Sequence, residues 1–371
     1  MASVAIVHDY LNQKGGAERV ALELARHWPS APIYTALYRP DSTFPEFHDH
    51  DVRTSFLDRV PVDAAFRTLL PLYPAAFRSL GRLEHDLVVS SSSGWAHAVR
   101  TAPGSFHVVY CHAPGRWLYS TERYVRRGAQ RLLLAPVLAP LRAWDRRAAA
   151  RANLYIANAE GIRRRIRDIY GIDAAVVHPP VDVDRFRARP PGERLLVVSR
   201  LLPYKRVDLV VEAATRAGLP LDVVGTGPDL DRLRALAGAN VSFHGRLDDA
   251  EITELMEGCR ALCLPGEEDF GITPVEAMAA GKPVVAFAAG GALETVVDEV
   301  TGLLFREQTA DALLAAVRRL DDLDLDPEAV HRHARRFAPD AFRRRLDEVI
   351  DAALEGRRAT RPPARATRAA V

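Results

Sequence analysis

Leu264–Phe287 reads LPGEEDFGITPVEAMAAGKPVVAF. A strand end, an acidic glycine-containing loop, a short helix and a second strand follow one another without a break, which is the repeating unit of a parallel α/β layer. Glu268 and Glu276 stand eight positions apart on either side of the expected helix start. Thr273 suits the N-cap, Pro274 the first helical position and Glu276 the third position of a capping box. Gly281 and Pro283 stop the helix. The N–H groups of Phe270, Gly271, Ile272 and Thr273, at the positive end of a helix dipole, then form an anion site. The same residues also suit a plain capped turn in which Glu276 serves the cap alone. Glu268 lies between Glu267 and Asp269, and three adjacent acids repel one another. They read either as a solvated turn or as a carboxylate poised for sugar hydroxyls or developing positive charge.

Outward from this stretch the same rhythm continues. Leu195–Ser199, Leu221–Gly225, Val241–His244, Ala261–Leu264 and Pro283–Phe287 read as strands, with Gly302–Phe305 as a sixth. Helical spacing lies between them at Val207–Ala217, Asp229–Ala237, Asp248–Glu257 and Ala292–Val297, and after them at Ala310–Leu320 and Pro339–Leu354. The first half repeats the pattern with strands at Val4–His8, Pro32–Leu37, Leu87–Ser90, His107–Cys111, Leu154–Ala157 and Ala175–His178, and a helix at Ala17–Trp28. Between the halves, HPPVDVDRFRARPPGER interrupts the apolar runs with prolines and charges and reads as a linker. The expected fold is α/β, two Rossmann-like doubly wound domains facing a central cleft. Residues 1–180 form the first domain, 181–194 the linker and 195–338 the second domain. A helix at 339–355 packs back on the first domain, and 356–371 is a disordered basic tail.

The 371 residues suffice for two cores. A formal net charge of +2 gives no case for nucleic acid. Three cysteines, Cys111, Cys259 and Cys263, are too few for a disulfide framework and indicate a reducing compartment. Cys259 and Cys263 have the spacing to share a helix face, but no His or Cys pair completes a zinc site. No signal peptide precedes Val4–Val7, and no run approaches a membrane span, so the expected location is cytoplasmic. RLLLAPVLAPLRAWDRRAAAR, from Arg131 to Arg151, suits either an anionic membrane surface or an inward-facing helix with a solvated basic face. Pro136 and Pro140 break its helical period.

Other motifs lie after strands, where open α/β sheets bind ligands. Arg200 closes the strand Leu195–Ser199 and Lys205 opens the next helix; two cations there suit a diphosphate. Gly15-Gly16 allows close backbone approach to a ligand but lacks the full dinucleotide fingerprint, as does Gly225-Thr226-Gly227, which reads as a turn. His112 ends a first-domain strand, as a structural group or a partner for a sugar hydroxyl or phosphate. Asp182-Val183-Asp184 spells D-x-D but falls in the linker.

These residues resemble retaining nucleotide-sugar glycosyltransferases of glycosyltransferase family 4, which have the GT-B fold. The family's Glu-x7-Glu motif looks like Glu268 to Glu276, extending through EDFGITPVEAMAAGKPVVAFAAGGALETVVDEVTGLLF. Its diphosphate element looks like Ser199-Arg200 to Lys205, and its glycine loop like Gly15-Gly16-Ala17-Glu18. The likeness covers about residues 3–350, and EEDFGITPVEAMA with YCHAP is similar to bacterial mannosyltransferases of polysaccharide assembly. It implies that Arg200 and Lys205 neutralise the leaving diphosphate and that Glu268 supports the transferred sugar. It implies that Phe270, Gly271, Ile272 and Thr273 offer N–H groups and that Glu276 holds the ribose. Gly245-Arg246-Leu247 would meet the base, His112 the donor sugar, and Gly16 the phosphate and acceptor. The implied donor is GDP-mannose, with a UDP-sugar or a non-catalytic nucleotide-sugar sensor as alternatives. The acceptor is a hydroxyl of a glycan, lipid-linked sugar or small molecule; no metal or other cofactor is expected. GRWLYS at Gly115–Ser120 departs from the family's MRYxWD form, and Asp269 stands where the family commonly has glycine.

Overall fold

The computed structural model describes residues 2–60, 71–119 and 128–360, the side chains of 116, 128–137 and 358–360 excepted. Its strands are β1 (Val4–His8), β2 (Ile33–Thr35), β3 (Val52–Thr54), β4 (Arg82–Leu83), β5 (Leu87–Ser92), β6 (Arg100–Thr101), β7 (Phe106–Cys111), β8 (Leu154–Ala157), β9 (Ala175–Val176), β10 (Leu195–Val198), β11 (Leu221–Val224), β12 (Val241–Gly245), β13 (Ala261–Leu264), β14 (Val284–Phe287) and β15 (Gly302–Phe305).

The chain divides into two compact units. One comprises the chain up to Ile156, Ile166–Val177 and the final helix from Arg343; the other comprises Ala157–Arg165 and His178–Phe342. The first holds a seven-stranded sheet of order β3-β2-β1-β5-β7-β8-β9, and β4 with β6 forms a separate pair. The recorded registers from β3 through β7 are parallel. The second unit holds a parallel six-stranded sheet of order β12-β11-β10-β13-β14-β15. Numbered within that unit, its order is 3-2-1-4-5-6, the doubly wound arrangement in which the strand order reverses between the first and fourth strands. The first unit reverses in the same way between β1 and β5. Fully buried strands explain the near-continuous apolar runs: Val88, Val89, Val108 and Val109 are inaccessible in one unit, and Leu196, Val223, Ala261 and Val285 in the other.

Several expectations need correction. Residues 181–194 are not a free linker. Val181, Val183 and Phe186 are buried, the Val181 N–H donates to the Phe337 carbonyl, and Arg189 pairs with Glu257 at 2.9 Å. Lys282, fully buried, donates to the Arg189 and Pro190 carbonyls at 2.8 and 2.6 Å. Apolar residues interleaved with the prolines give this segment a core-facing side. Residues 157–165, expected in the first domain, cluster with the second unit. Cys259 follows the helix Asp249–Gly258 and Cys263 lies in β13, so they share no helix face; burial pushes both thiols up to about 12. The helix Gly128–Ala149 runs through Pro136 and Pro140. Each proline removes one donor from it, while Leu141 and Trp144 pack on the core and Ala148 is buried. Of the stretch weighed for membrane contact, the side chains of 131–137 lie outside the described residues. The helix Pro339–Thr360 continues past the expected start of the tail, and 361–371 fall outside the described residues. Its Arg343 bonds Glu23, and its Asp347 meets His27 at 2.8 Å.

Candidate functional site

In the second unit the loops after β10 and β13 meet at the reversal point of the sheet. Lys205 ends a single 3₁₀ turn, Pro203–Lys205, rather than opening the next helix, which starts at Val207. Between them Arg206 adopts a left-handed conformation at φ 54° and bonds Asp208 at 3.2 Å. That kink turns the Lys205 ammonium onto the Glu268 carboxylate, with which it makes a hydrogen-bonded ion pair. Both line a cleft with Ser199, Pro265, Gly266 and Thr273. Arg200 is exposed. Asp269 meets Arg165 at 3.5 Å, so two of the three adjacent acids have cations and only Glu267 is exposed to solvent.

Backbone packing fixes this loop. The Gly291 N–H donates to the Glu268 carbonyl at 2.9 Å. A Cβ on Gly290 would overlap that carbonyl, and one on Gly291 the Phe270 carbonyl. A Cβ on Gly266 would lie 2.6 Å from the Lys205 carbonyl. Three loops therefore approach at backbone-to-backbone distance, which only glycine permits. Gly225 and Gly227 have the same task one strand over, where a Cβ would overlap the Ser199 and Leu201 carbonyls. Phe270 is buried, stacked on His178 with ring centroids 5.3 Å apart.

The helix after this loop spans Ile272–Ala279 with Gly271 as its N-cap at φ 86° and no side-chain cap. The expected capping box on Thr273 and Glu276 is therefore absent. Gly271 reaches a conformation closed to other residues and starts the helix early. Pro274 fits inside the first turn because its missing N–H has no intrahelical acceptor there. The N–H groups at Gly271, Ile272 and Thr273 point out of the helix start by the same geometry. Glu276, released from capping, accepts from Arg185 Nη2 at 3.0 Å. Arg185 also meets Asp249 at 3.4 Å and lies over the Phe186 ring at 4.5 Å. Asp249 begins the helix that follows Gly245, Arg246 and Leu247. Arg185 thus ties the Glu276 carboxylate to the turn expected to meet a base; spacing alone does not reveal it.

In the first unit the glycine turn also follows strand one of the sheet. Gly15 N-caps the helix Gly16–His27, and a Cβ on Gly15 would lie 2.5 Å from Glu18 Oε2. Asp9, just after β1, accepts from the Trp95 and Ala96 N–H groups at 2.7 Å each. His112 follows β7, is 8% exposed, and its Nε2 lies 2.8 Å from Ser91 Oγ. Ser90, Ser91 and Ser92 each meet a histidine: His107 at 2.8 Å, His112, and His97 at 3.3 Å. These pairs were missed in the sequence; the serine run ending β5 is the signal that could have marked them.

Among solved structures, Anabaena HepE in complex with UDP matches with a TM-score of 0.70 at 20% identity, over 94% of this chain and 100% of that one. Sucrose-phosphate synthase from Thermosynechococcus elongatus matches at 0.70 and 18%, over 95% and 100%. The fold is accordingly that of the GT-B glycosyltransferases. The family model described as Glycosyltransferase Family 4 matches residues 14–185, and that described as Glycosyl transferases group 1 matches 182–337. The chain belongs to glycosyltransferase family 4. Among curated relatives, D-inositol 3-phosphate glycosyltransferase of Geodermatophilus obscurus is 33% identical over 55% of this chain and 52% of its own length. That of Mycobacterium tuberculosis is 31% identical over 50% and 46%. The chain spans about half the length of the curated relatives it matches.

Proposed function

We propose that this chain is a retaining glycosyltransferase that moves a hexose from a nucleoside diphosphate sugar to a hydroxyl acceptor: a glycan, a lipid-linked sugar or a small molecule. The observation that carries this reading is the Lys205–Glu268 pair at the reversal point of the second sheet, beside a helix N-terminus. A diphosphate next to an unpaired Glu268 would be repelled. Lys205 offsets that charge and gives the departing diphosphate a point cation, with Arg200 as a second. Glu268 would face the sugar as positive charge develops on its ring. Glu276, aimed by Arg185, would accept from ribose hydroxyls. Among the described residues lining this cleft Glu268 is the one carboxylate. A front-face departure, with the diphosphate oxygen taking the acceptor proton, suits the site better than double displacement.

The resemblance favours GDP-mannose as donor. A UDP-sugar is the second reading, favoured by HepE structures described with UDP and with UDP-glucose. Exposed Arg164 and Arg167 on the helix Glu160–Tyr170 support contact with an anionic membrane face. Among the described residues no helix is long and apolar enough to cross a membrane. A nucleotide-sugar panel, read by donor turnover, thermal shift and the anomeric configuration of the product, tests the reading. Turnover of one donor class with retained configuration supports it; inversion, or no turnover and no shift with any donor, overturns it. Because cations of the chain itself neutralise the leaving group here, activity is expected to persist in excess EDTA. A strict, reversible divalent-metal requirement would contradict that.

A further inference from the structure

Beneath the Gly15-Gly16 turn, four side chains form a continuous polar chain. His112 Nε2 lies 2.8 Å from Ser91 Oγ, and Ser91 Oγ lies 3.1 Å from His8 Nδ1. His8 Nε2 lies 3.9 Å from Glu18 Oε1. Glu18 Oε1 also accepts from Gln13 Nε2 at 2.9 Å, and Glu18 Oε2 is buried with no hydrogen-bond partner among the described residues. Glu18 and His8 are 1% exposed and Ser91 is inaccessible. The links come from the carboxyl ends of β1 and β5, the residue after β7, and the first turn of the helix Gly16–His27, all around the reversal point of the first sheet.

A serine hydroxyl has one proton to donate. Among the described residues the Ser91 hydroxyl meets only the two imidazole nitrogens, so its proton goes to one of them and it accepts from the other. We propose that Glu18, His8 and Ser91 are positioning residues that set which ring nitrogen of His112 carries the proton. His8 Nδ1 and His112 Nε2 must take opposite roles, one as N–H donor and the other as bare acceptor. Glu18, 3.9 Å from His8 Nε2, is too distant for a hydrogen bond. Its charge still biases where the His8 proton resides, and Ser91 passes that choice to His112. The proposal rests on the reading of His112 as a group that meets the donor sugar: a ring nitrogen must be bare to accept from a sugar hydroxyl and protonated to donate to an oxygen.

Nitrogen-15 NMR of histidine-labelled protein tests the coupling without any donor. In the wild type, one of His8 Nδ1 and His112 Nε2 should be protonated and the other bare. In Ser91→Ala the His112 pattern should change. Glu18→Gln, three links away, should shift the His112 Nε2 signal as well. In turnover, Ser91→Ala should lower kcat by about five- to tenfold, the worth of one neutral hydrogen bond, with donor KM within about twofold. Two protonated or two bare nitrogens in the wild type would overturn the proposal. So would a His112 pattern unmoved by Glu18→Gln, which keeps the side-chain shape should Ser91→Ala not fold. Since the spectra need no substrate, a failed donor panel leaves this result standing, and a failed coupling leaves the transfer reading standing.

Discussion

Lys205 and Glu268 pair with each other, so a donor must enter beside a pair that is already neutral. That arrangement separates binding from turnover. Glu268→Gln should keep or tighten diphosphate affinity, since it frees the lysine, while turnover falls. His107 offers a test of a different kind. Burial pushes its pKa from 6.5 down to about 3, so the folded protein keeps it neutral against Ser90. Between pH 6.5 and about 3 the unfolded chain binds a proton that the folded chain refuses. Its contribution to stability is therefore complete above pH 6.5 and lost progressively below. Urea unfolding at pH 7 and pH 5 should show a larger loss for the wild type than for His107→Gln; equal losses would contradict the burial argument.

At the scale of elements, the strands of both sheets were legible because buried parallel strands leave continuous apolar runs; Val4–His8 and Ala261–Leu264 appear as expected. The short β3 at Val52–Thr54 was not, since its three residues carry no period. The Glu268–Glu276 segment was legible as loop, helix and strand, but its helix start was misplaced. The conformation of Gly271 outranked the Thr273-Pro274 capping signal. The partners Arg185 and Arg165 come from distant segments, which no spacing rule reaches. Gly291→Ala tests the loop packing: its Cβ would overlap the Phe270 carbonyl, and a displacement of about 1 Å in this loop should cost on the order of 100-fold in kcat/KM. Unchanged kinetics would mean the loop has slack. Lys282→Met keeps most of the side-chain volume but strands the Arg189 and Pro190 carbonyls, and should destabilise the folded state by about 1–3 kcal/mol. No change in the unfolding midpoint would show that those bonds do not hold residues 181–194.

On the scale of the whole molecule, the two units solve one problem twice. Each reverses strand order between its first and fourth strands, and each uses an ionisable residue after the first strand to meet the loop after the fourth. Asp9 bonds the Trp95 and Ala96 N–H groups in one unit, and Lys205 bonds Glu268 in the other. The first is all structure: a carboxylate spent on backbone N–H groups. The second couples two side chains to each other beside a helix start, where a ligand can take the place of one partner. The central claim is that Lys205 holds the diphosphate of a nucleotide-sugar donor. Calorimetric titration of wild type, Lys205→Ala and Glu268→Gln with the nucleoside diphosphate of the preferred donor tests it most directly. Lys205→Ala should lose about tenfold or more in affinity, as expected for a charged hydrogen bond, and Glu268→Gln should bind undiminished. Equal affinity in wild type and Lys205→Ala would contradict it.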